Sequence, residues 1–138
     1  MKIELKRVDN AFQFEAKSEF TNTRTYIDAA EAIGGHNAGA RPMELMLMSL
    51  GGCSGIDVIE ILKKQRQQLD QIDISVEGKR ADSIPAVFTE IHLHFRLEGI
   101  LDEKKVKRAI DLSLGKYCSA AAMLCKTAQI TSSYEIRK

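Results

Sequence analysis

The chain has 138 residues, 44% hydrophobic and 28% charged, and its 20 basic and 19 acidic side chains leave a net charge of +1. That balance gives no concentrated basic patch for nucleic acid or an anionic membrane surface. The length suits one domain over residues 1–138, since domains of roughly 100–150 residues are commonest. The opening MKIELKRVDN lacks the apolar core of a secretory signal, and no apolar stretch nears the ~18 residues of a spanning helix. A cytoplasmic protein without a membrane partner is expected. In that reducing compartment the three cysteines are free, catalytic or redox-active, not a structural framework.

Residues 1–16 alternate as two short strands, Ile3 and Leu5 then Phe12, Phe14 and Ala16, with Asp9-Asn10 as the turn. Thr25, Tyr26 and Ile27 suggest a third strand. Residues 29–40 hold Gly34, Gly35, Asn37 and Gly39 among small residues, so they read as a loop and a candidate site wall. The run RPMELMLMSLGGCSGIDVIEILKK, Arg41 to Lys64, is the principal helix. Pro42 suits its first turn, and the apolar Leu45 to Leu50 segment is expected to be buried on most sides. Gly51 and Gly52 each cost about 1 kcal/mol relative to Ala in mid-helix, a cost that a closely approaching backbone just before Cys53 would explain.

After the helix, Ile72, Ile74 and Val76 alternate with polar residues as a half-buried strand, and Asp82 to Pro85 marks a turn. In the next strand Ile91, Leu93, Phe95 and Leu97 face in, while Glu90, His92, His94 and Arg96 face out. Asp102-Glu103 opens a second helix with inner face Val106, Ala109, Ile110 and Ser113, ended by Gly115. Tyr117 to Lys126 reads as a short third helix, and Ile130, Tyr134 and Ile136 as a closing strand. The order βββ-α-ββ-αα-β argues for an α+β fold of antiparallel hairpins packed on helices.

Cys53 is the first candidate for chemistry, weighed against the packing role of most free cysteines. Its stripe on a straight helix is Met46, Ser49, Leu50, Ile56, Asp57 and Glu60. A nucleophilic thiol needs a cation nearby to lower its pKa, and that stripe has none. Activation therefore has to come from a loop or another chain. Cys118 and Cys125 lie about 10.5 Å apart along a continuous helix, too far to bridge, so either could pair with Cys53. Cys118 is the better placed, at a helix start whose amides stabilise a thiolate, and Cys125 reads as packing. His92 and His94 share one strand face with Glu90 and Arg96, so a solvated face is preferred to a metal pair; no CxxC or HExxH motif supplies further ligands. No metal and no cofactor is called for. GGHNAG lacks the spacing of a phosphate loop, and Ser54 and Ser119 read as helix-surface or capping residues.

RPMELMLMSLGGC followed by KYCSAAAMLCKTAQI, with key cysteines 118 − 53 = 65 residues apart, resembles the OsmC-like family. That family includes the osmotically inducible protein C and the organic hydroperoxide resistance proteins, and the likeness is closest to its small predicted-redox-protein branch. The resemblance covers essentially the whole chain. It implies an intertwined, strand-exchanged homodimer of three-stranded antiparallel sheets around central helices, with the site at the dimer interface. It further implies a thiol-dependent peroxidase, an antioxidant of oxidative stress, that reduces a small apolar hydroperoxide at the expense of a thiol reductant. Cys53 matches the peroxidatic cysteine and Cys118 the resolving one. The family also uses an Arg ahead of the helix and a Glu directly after the helix-opening proline. Here Arg24 and Arg41 are both available; Met43 follows Pro42, and the acid is displaced to Glu44, about 180° around the helix from Cys53. The alternative implied by Met43 is a dimeric small-ligand-binding or redox-sensing protein of the same fold with little turnover. A metal-binding module built on His92 and His94 is a third, weaker alternative.

Overall fold

The computed structural model describes all of residues 1–138, which form two compact units, 1–46 and 47–138. In the first unit, β1 (Ile3–Arg7), β2 (Phe14–Ser18) and β3 (Arg24–Ile27) make an antiparallel sheet in the order β1-β2-β3. The Asp9 carboxylate shapes the first turn by accepting from the Ala11 and Gln13 amides at 2.9 and 3.0 Å. Register places Ile3, Leu5, Phe14, Ala16 and Ile27 on one face and Glu4, Lys6, Glu15, Lys17, Arg24 and Tyr26 on the other. The apolar face has little cover within its own chain: Ile3 is 52% exposed and Leu5 56%.

The glycine-rich stretch that follows is organised by Asp28, which is 2% exposed. Its Oδ1 accepts from the Ala29 amide at 2.8 Å, and its Oδ2 from those of His36 at 3.1 Å and Ala38 at 3.0 Å. Backbone bonds between Asp28 and Ala40 and between Ala40 and Tyr26 close the loop against β3. A Cβ on Gly35 would lie 2.1 Å from the Ala29 carbonyl oxygen. The composition expected of a loop is thus explained by backbone crowding around one buried carboxylate.

The helix α1 (Pro42–Lys64) begins in the first unit and ends in the second. The Glu44 carboxylate accepts from the Arg41 amide at 2.9 Å, the reach-back half of a capping box. In the second unit β4 (Gln68–Arg80) and β5 (Phe88–Ile100) form a long antiparallel hairpin, and β6 (Gln129–Arg137) adds to β5. The expected inner residues Ile91, Leu93, Phe95 and Leu97 are all buried, opposite Gly78, Val76, Ile74 and Ile72 of β4. Leu50, Ser54, Val58 and Leu62 of α1 are fully buried at intervals of four, one stripe of the helix. Burying each such Leu stabilises the fold by about 1.5–3 kcal/mol.

Several expectations need correction. Gly51 meets a side chain, not a backbone: its Cβ would lie 3.1 Å from Val76 Cγ2. The tighter approach is at Gly55, 2.9 Å from Ile74 Cδ1, whereas Gly52 faces open space. The Leu45 to Leu50 segment is not buried on most sides, since Met46 and Met48 are exposed. Two sides of α1 are covered within the chain, one turned to β4 and one turned to Ser113, while Met48, Ile56 and Ile59 remain open. Nor does every stretch fall short of a spanning helix: α1 has 23 residues and a mean hydropathy of 1.6 over its most apolar window. Its fully buried stripe and its packing on Ile74 and Val76 identify it as the core helix of this unit.

The second sheet is also not wholly antiparallel. β6 runs parallel to β5, pairing Ile91 with Ile130 and Leu97 with Ile136. The intervening helices carry the chain back to the same end of the sheet, the crossover that a parallel neighbour requires. The first of them, α2 (Glu103–Leu112), is capped by Asp102, whose side chain accepts from the Lys105 amide at 3.0 Å. Its expected inner face is buried through Ser113. Gly115 does not end it; the chain passes from Leu112 into a widened turn over Ser113–Tyr117. The third helix, α3 (Ser119–Leu124), is shorter than the expected span, with Cys118 as its N-cap and Cys125 as its C-cap.

Candidate functional site

Two helices of the second unit bring Cys53, Asp57 and Cys118 together. Cys53 and Asp57 are four residues apart on α1, one turn along the same face. The widened turn after α2 ends in a bond from the Cys118 amide to the Ser113 carbonyl at 2.8 Å, and sets Cys118 at the start of α3. The two sulfurs and one carboxylate oxygen lie within 4.8 Å of one another. Cys53 and Asp57 are half-buried, while Cys118 is 2% exposed. Cys125 stands apart, exposed, with its thiol donating to the Ala122 carbonyl at 3.4 Å.

Ser113 ties the cluster to the core. Its fully buried hydroxyl donates to Asp57 Oδ2 at 3.0 Å, with the Ser54 carbonyl a second acceptor at 3.4 Å. Asp57 takes part in no ion pair. It also lines a cleft of about 460 Å³ together with Glu60, Ile61, Lys64, Leu112 and Tyr117.

Burial dominates the electrostatics of Cys118. Burial pushes the Cys118 thiol up to about 11, and the neighbouring Cys53 thiol acts in the same direction. Bonds from the Ala121 and Ala120 amides pull the other way and lose. The sequence expectation that helix amides would stabilise a Cys118 thiolate is therefore only half realised. The Ala121 amide does donate to Cys118 Sγ at 3.4 Å, but desolvation outweighs it. Cys118 is thus held as a thiol at neutral pH.

Arg24, Arg41 and Glu44 lie in the first unit. Arg24 stands on the charged face of the sheet, its Nη1 3.3 Å from Glu15 Oε2. Arg41 Nη2 donates to Asn37 Oδ1 at 3.0 Å, and Arg41 Nη1 lies 3.7 Å from Glu44 Oε1. Glu44 and Arg41 are therefore partners of each other at the head of α1. His92 and His94 sit on the polar face of the second sheet, opposite Thr131 and Ser133. Both His92 nitrogens meet hydroxyls, at 2.7 Å to Thr131 and 2.8 Å to Ser133, and His94 Nδ1 shares the Ser133 hydroxyl at 2.7 Å. Cross-strand hydrogen bonding accounts for this pair without a metal.

Sequence reasoning placed Asp57 on the Cys53 stripe and Ser113 on the inner face of the second helix without giving either a task. The available signal was a polar residue at a core-facing helical position, which burial requires to have a partner.

Comparison with known proteins finds relatives of this chain in sequence and in fold. The sequence model described as OsmC-like protein matches residues 35–133. Protein YhfA of Escherichia coli strain K12 is 40% identical over 132 residues, covering 88% of this chain and 97% of that protein. Among solved structures, a hypothetical protein from Aquifex aeolicus VF5 is 33% identical with a TM-score of 0.82, over 99% of this chain and 97% of that one. An organic hydroperoxide resistance protein OsmC from Legionella pneumophila, described as a predicted redox protein and regulator of sulfide bond formation, superposes with a TM-score of 0.74. Its 12% identity, over 97% of this chain and 95% of that one, makes the likeness one of fold.

Proposed function

The chain belongs to the OsmC-like family, and from that premise we propose that it is a thiol-dependent peroxidase, or a related thiol oxidoreductase, acting on organic hydroperoxides. The observation that carries this reading is the approach of Cys53 and Cys118 within 4.8 Å, with Cys125 left out. Family membership supports a peroxide-related redox function in oxidative stress. A cytoplasmic setting, where thiols are kept reduced, goes with it.

In the proposed cycle the Cys53 thiolate attacks the distal peroxide oxygen. The O–O bond breaks, the alkoxide takes a proton and leaves as alcohol, and Cys53 becomes a sulfenic acid. The Cys118 sulfur then attacks Cys53 Sγ, giving up its proton as water departs, and an S–S bond forms. That prompt closure keeps Cys53 from the irreversible oxidation states. A thiol reductant returns both cysteines to thiols. Access supports the assignment of roles: Cys53 is half-buried and reachable, whereas Cys118 is buried beside it, placed to meet the sulfenic acid once it forms. Arg24 or Arg41 would stabilise the attacking thiolate and leaving alkoxide, since a guanidinium is permanently charged and rich in donors, with Glu44 steering Arg41.

The functional unit in this proposal is a homodimer with exchanged strands. The open apolar face of the first sheet and the open Met48, Ile56 and Ile59 of α1 are the surfaces a second copy would cover. An apolar sheet face left in water forgoes the stabilisation that its burial would give. A native monomer persisting at micromolar concentration in sedimentation would remove this element.

A second reading, a small-ligand-binding or redox-sensing dimer with little turnover, draws on the engagement of Arg24 with Glu15 and of Arg41 with Glu44. Consumption of cumene hydroperoxide and hydrogen peroxide, coupled to dithiothreitol, separates the two. Loss of turnover in Cys53→Ser and trapped sulfenic acid in Cys118→Ser support the peroxidase. Oxidation of wild-type Cys53 no faster than free cysteine would leave the binding or sensing protein.

A further inference from the structure

Cys53, Asp57 and Cys118 form a set of donors in which every member can become an anion. The carboxylate has no cationic partner, and both cysteines are free. From this arrangement we infer that the reduced chain binds one thiophilic divalent cation, Zn²⁺ by its chemistry, through Cys53 Sγ, Cys118 Sγ and the Asp57 carboxylate.

The geometry is near what such an ion needs. Zn–S bonds of about 2.3 Å and Zn–O bonds of about 2.0–2.2 Å in a tetrahedron put neighbouring donors roughly 3.5–3.8 Å apart. The three donor atoms already lie within 4.8 Å, so side-chain rotation of about 1 Å closes the set. Cys53 and Asp57 supply two ligands from successive turns of one rigid helix, and Cys118 approaches from another. Ser113 holds one carboxylate oxygen at 3.0 Å from a fully buried position, as outer-shell donors orient ligating carboxylates. Three protein donors leave the fourth corner to solvent. Two thiolates select zinc over magnesium or calcium, which prefer oxygen. The Asp9, Asp28 and His36 cluster is a weaker contender, because all three backbone donors around Asp28 are already satisfied by its carboxylate.

The site is present only in the reduced chain. Its regulatory consequence rests on the peroxidase reading: the cation occupies both reacting sulfurs, and oxidation expels it. When a hydroperoxide oxidises the pair, two thiolates give up one electron each and join as a disulfide. The peroxide takes those two electrons and two protons to become alcohol and water, and the zinc ion leaves with its charge unchanged. Zinc would thus shield the thiol pair until oxidant displaces it.

The test is an anaerobic titration of the reduced protein with cobalt(II) chloride, followed by displacement with zinc chloride. A near-ultraviolet thiolate-to-cobalt band saturating at one cobalt per chain, and erased by zinc, is expected. The band is lost in Cys53→Ser and in Cys118→Ser and kept in Cys125→Ser, and the affinity falls by at least about tenfold in Asp57→Asn. As a control independent of any folding defect in a cysteine variant, diamide oxidation of the wild type removes both donors without substitution; the band must vanish and return on reduction. Absence of a thiolate band, or its survival in the disulfide form, overturns the site. Undiminished affinity in Asp57→Asn overturns the carboxylate ligand. Peroxide consumption by the metal-free chain tests the peroxidase separately. If turnover is present, equal rates with and without zinc overturn the shielding.

Discussion

The buried Cys118 thiol gives a quantitative prediction about reactivity and stability. Its pKa of about 11, against an ordinary 9.0, leaves about one molecule in a thousand as thiolate at pH 8. An unperturbed thiol would have about one in ten, so the two-unit difference is about a hundredfold. In a Cys125→Ser background, competitive alkylation with light and heavy iodoacetamide, read by mass spectrometry from pH 7 to 12, measures that fraction directly. Modification of native Cys118 should reach half its limiting rate near pH 11, and denatured Cys118 near pH 9. The same shift is linked to folding. Because the native state raises this pKa, the thiol's contribution is fully present below about pH 9 and is lost as pH rises through 11. At about 1.4 kcal/mol per unit, the loss amounts to roughly 3 kcal/mol. Urea unfolding of wild type and Cys118→Ala from pH 8 to 11 isolates it, since only the wild type carries the term. A native Cys118 half-modified near pH 9, together with parallel stability profiles, would refute the claim that burial dominates this site.

Three further outcomes follow from particular contacts. Mild oxidation with one equivalent of peroxide should yield a single intrachain Cys53–Cys118 bridge by peptide mapping; a major Cys118–Cys125 species would contradict the placement of Cys125 outside the cluster. Asp28→Ala should lower the urea midpoint, because three loop amides lose their acceptor. The amide of Ala38, then those of Ala29 and His36, hold the Asp28 carboxyl below its ordinary value, so its wild-type contribution is present above about pH 4 and fades as pH falls. Gly35→Ala would press a Cβ to 2.1 Å from the Ala29 carbonyl oxygen, and a cost of at least about 1–3 kcal/mol is expected in thermal or urea unfolding.

Alternating and helical periodicities made much of the fold legible, because each reflects which side of one element must leave water. The inner residues of β5, the face of α2 through Ser113, and the start of α3 at Cys118 are local properties of this kind. The pair of cysteine motifs likewise pointed to Cys53 and Cys118. Tertiary structure alone decided the rest. The parallel run of β6 beside β5 depends on where two helices return the chain, which periodicity does not encode. Gly55 became the tightest point of α1 only because Ile74 lies across from it. The spacing of four residues put Asp57 on the Cys53 stripe, but its approach to Cys118 and its bond to Ser113 join positions 56–61 residues apart. The Cys118 pKa is likewise a balance between nearby amides and distant atoms that exclude water. Sequence names the nearby amides; only packing supplies the desolvation that outweighs them.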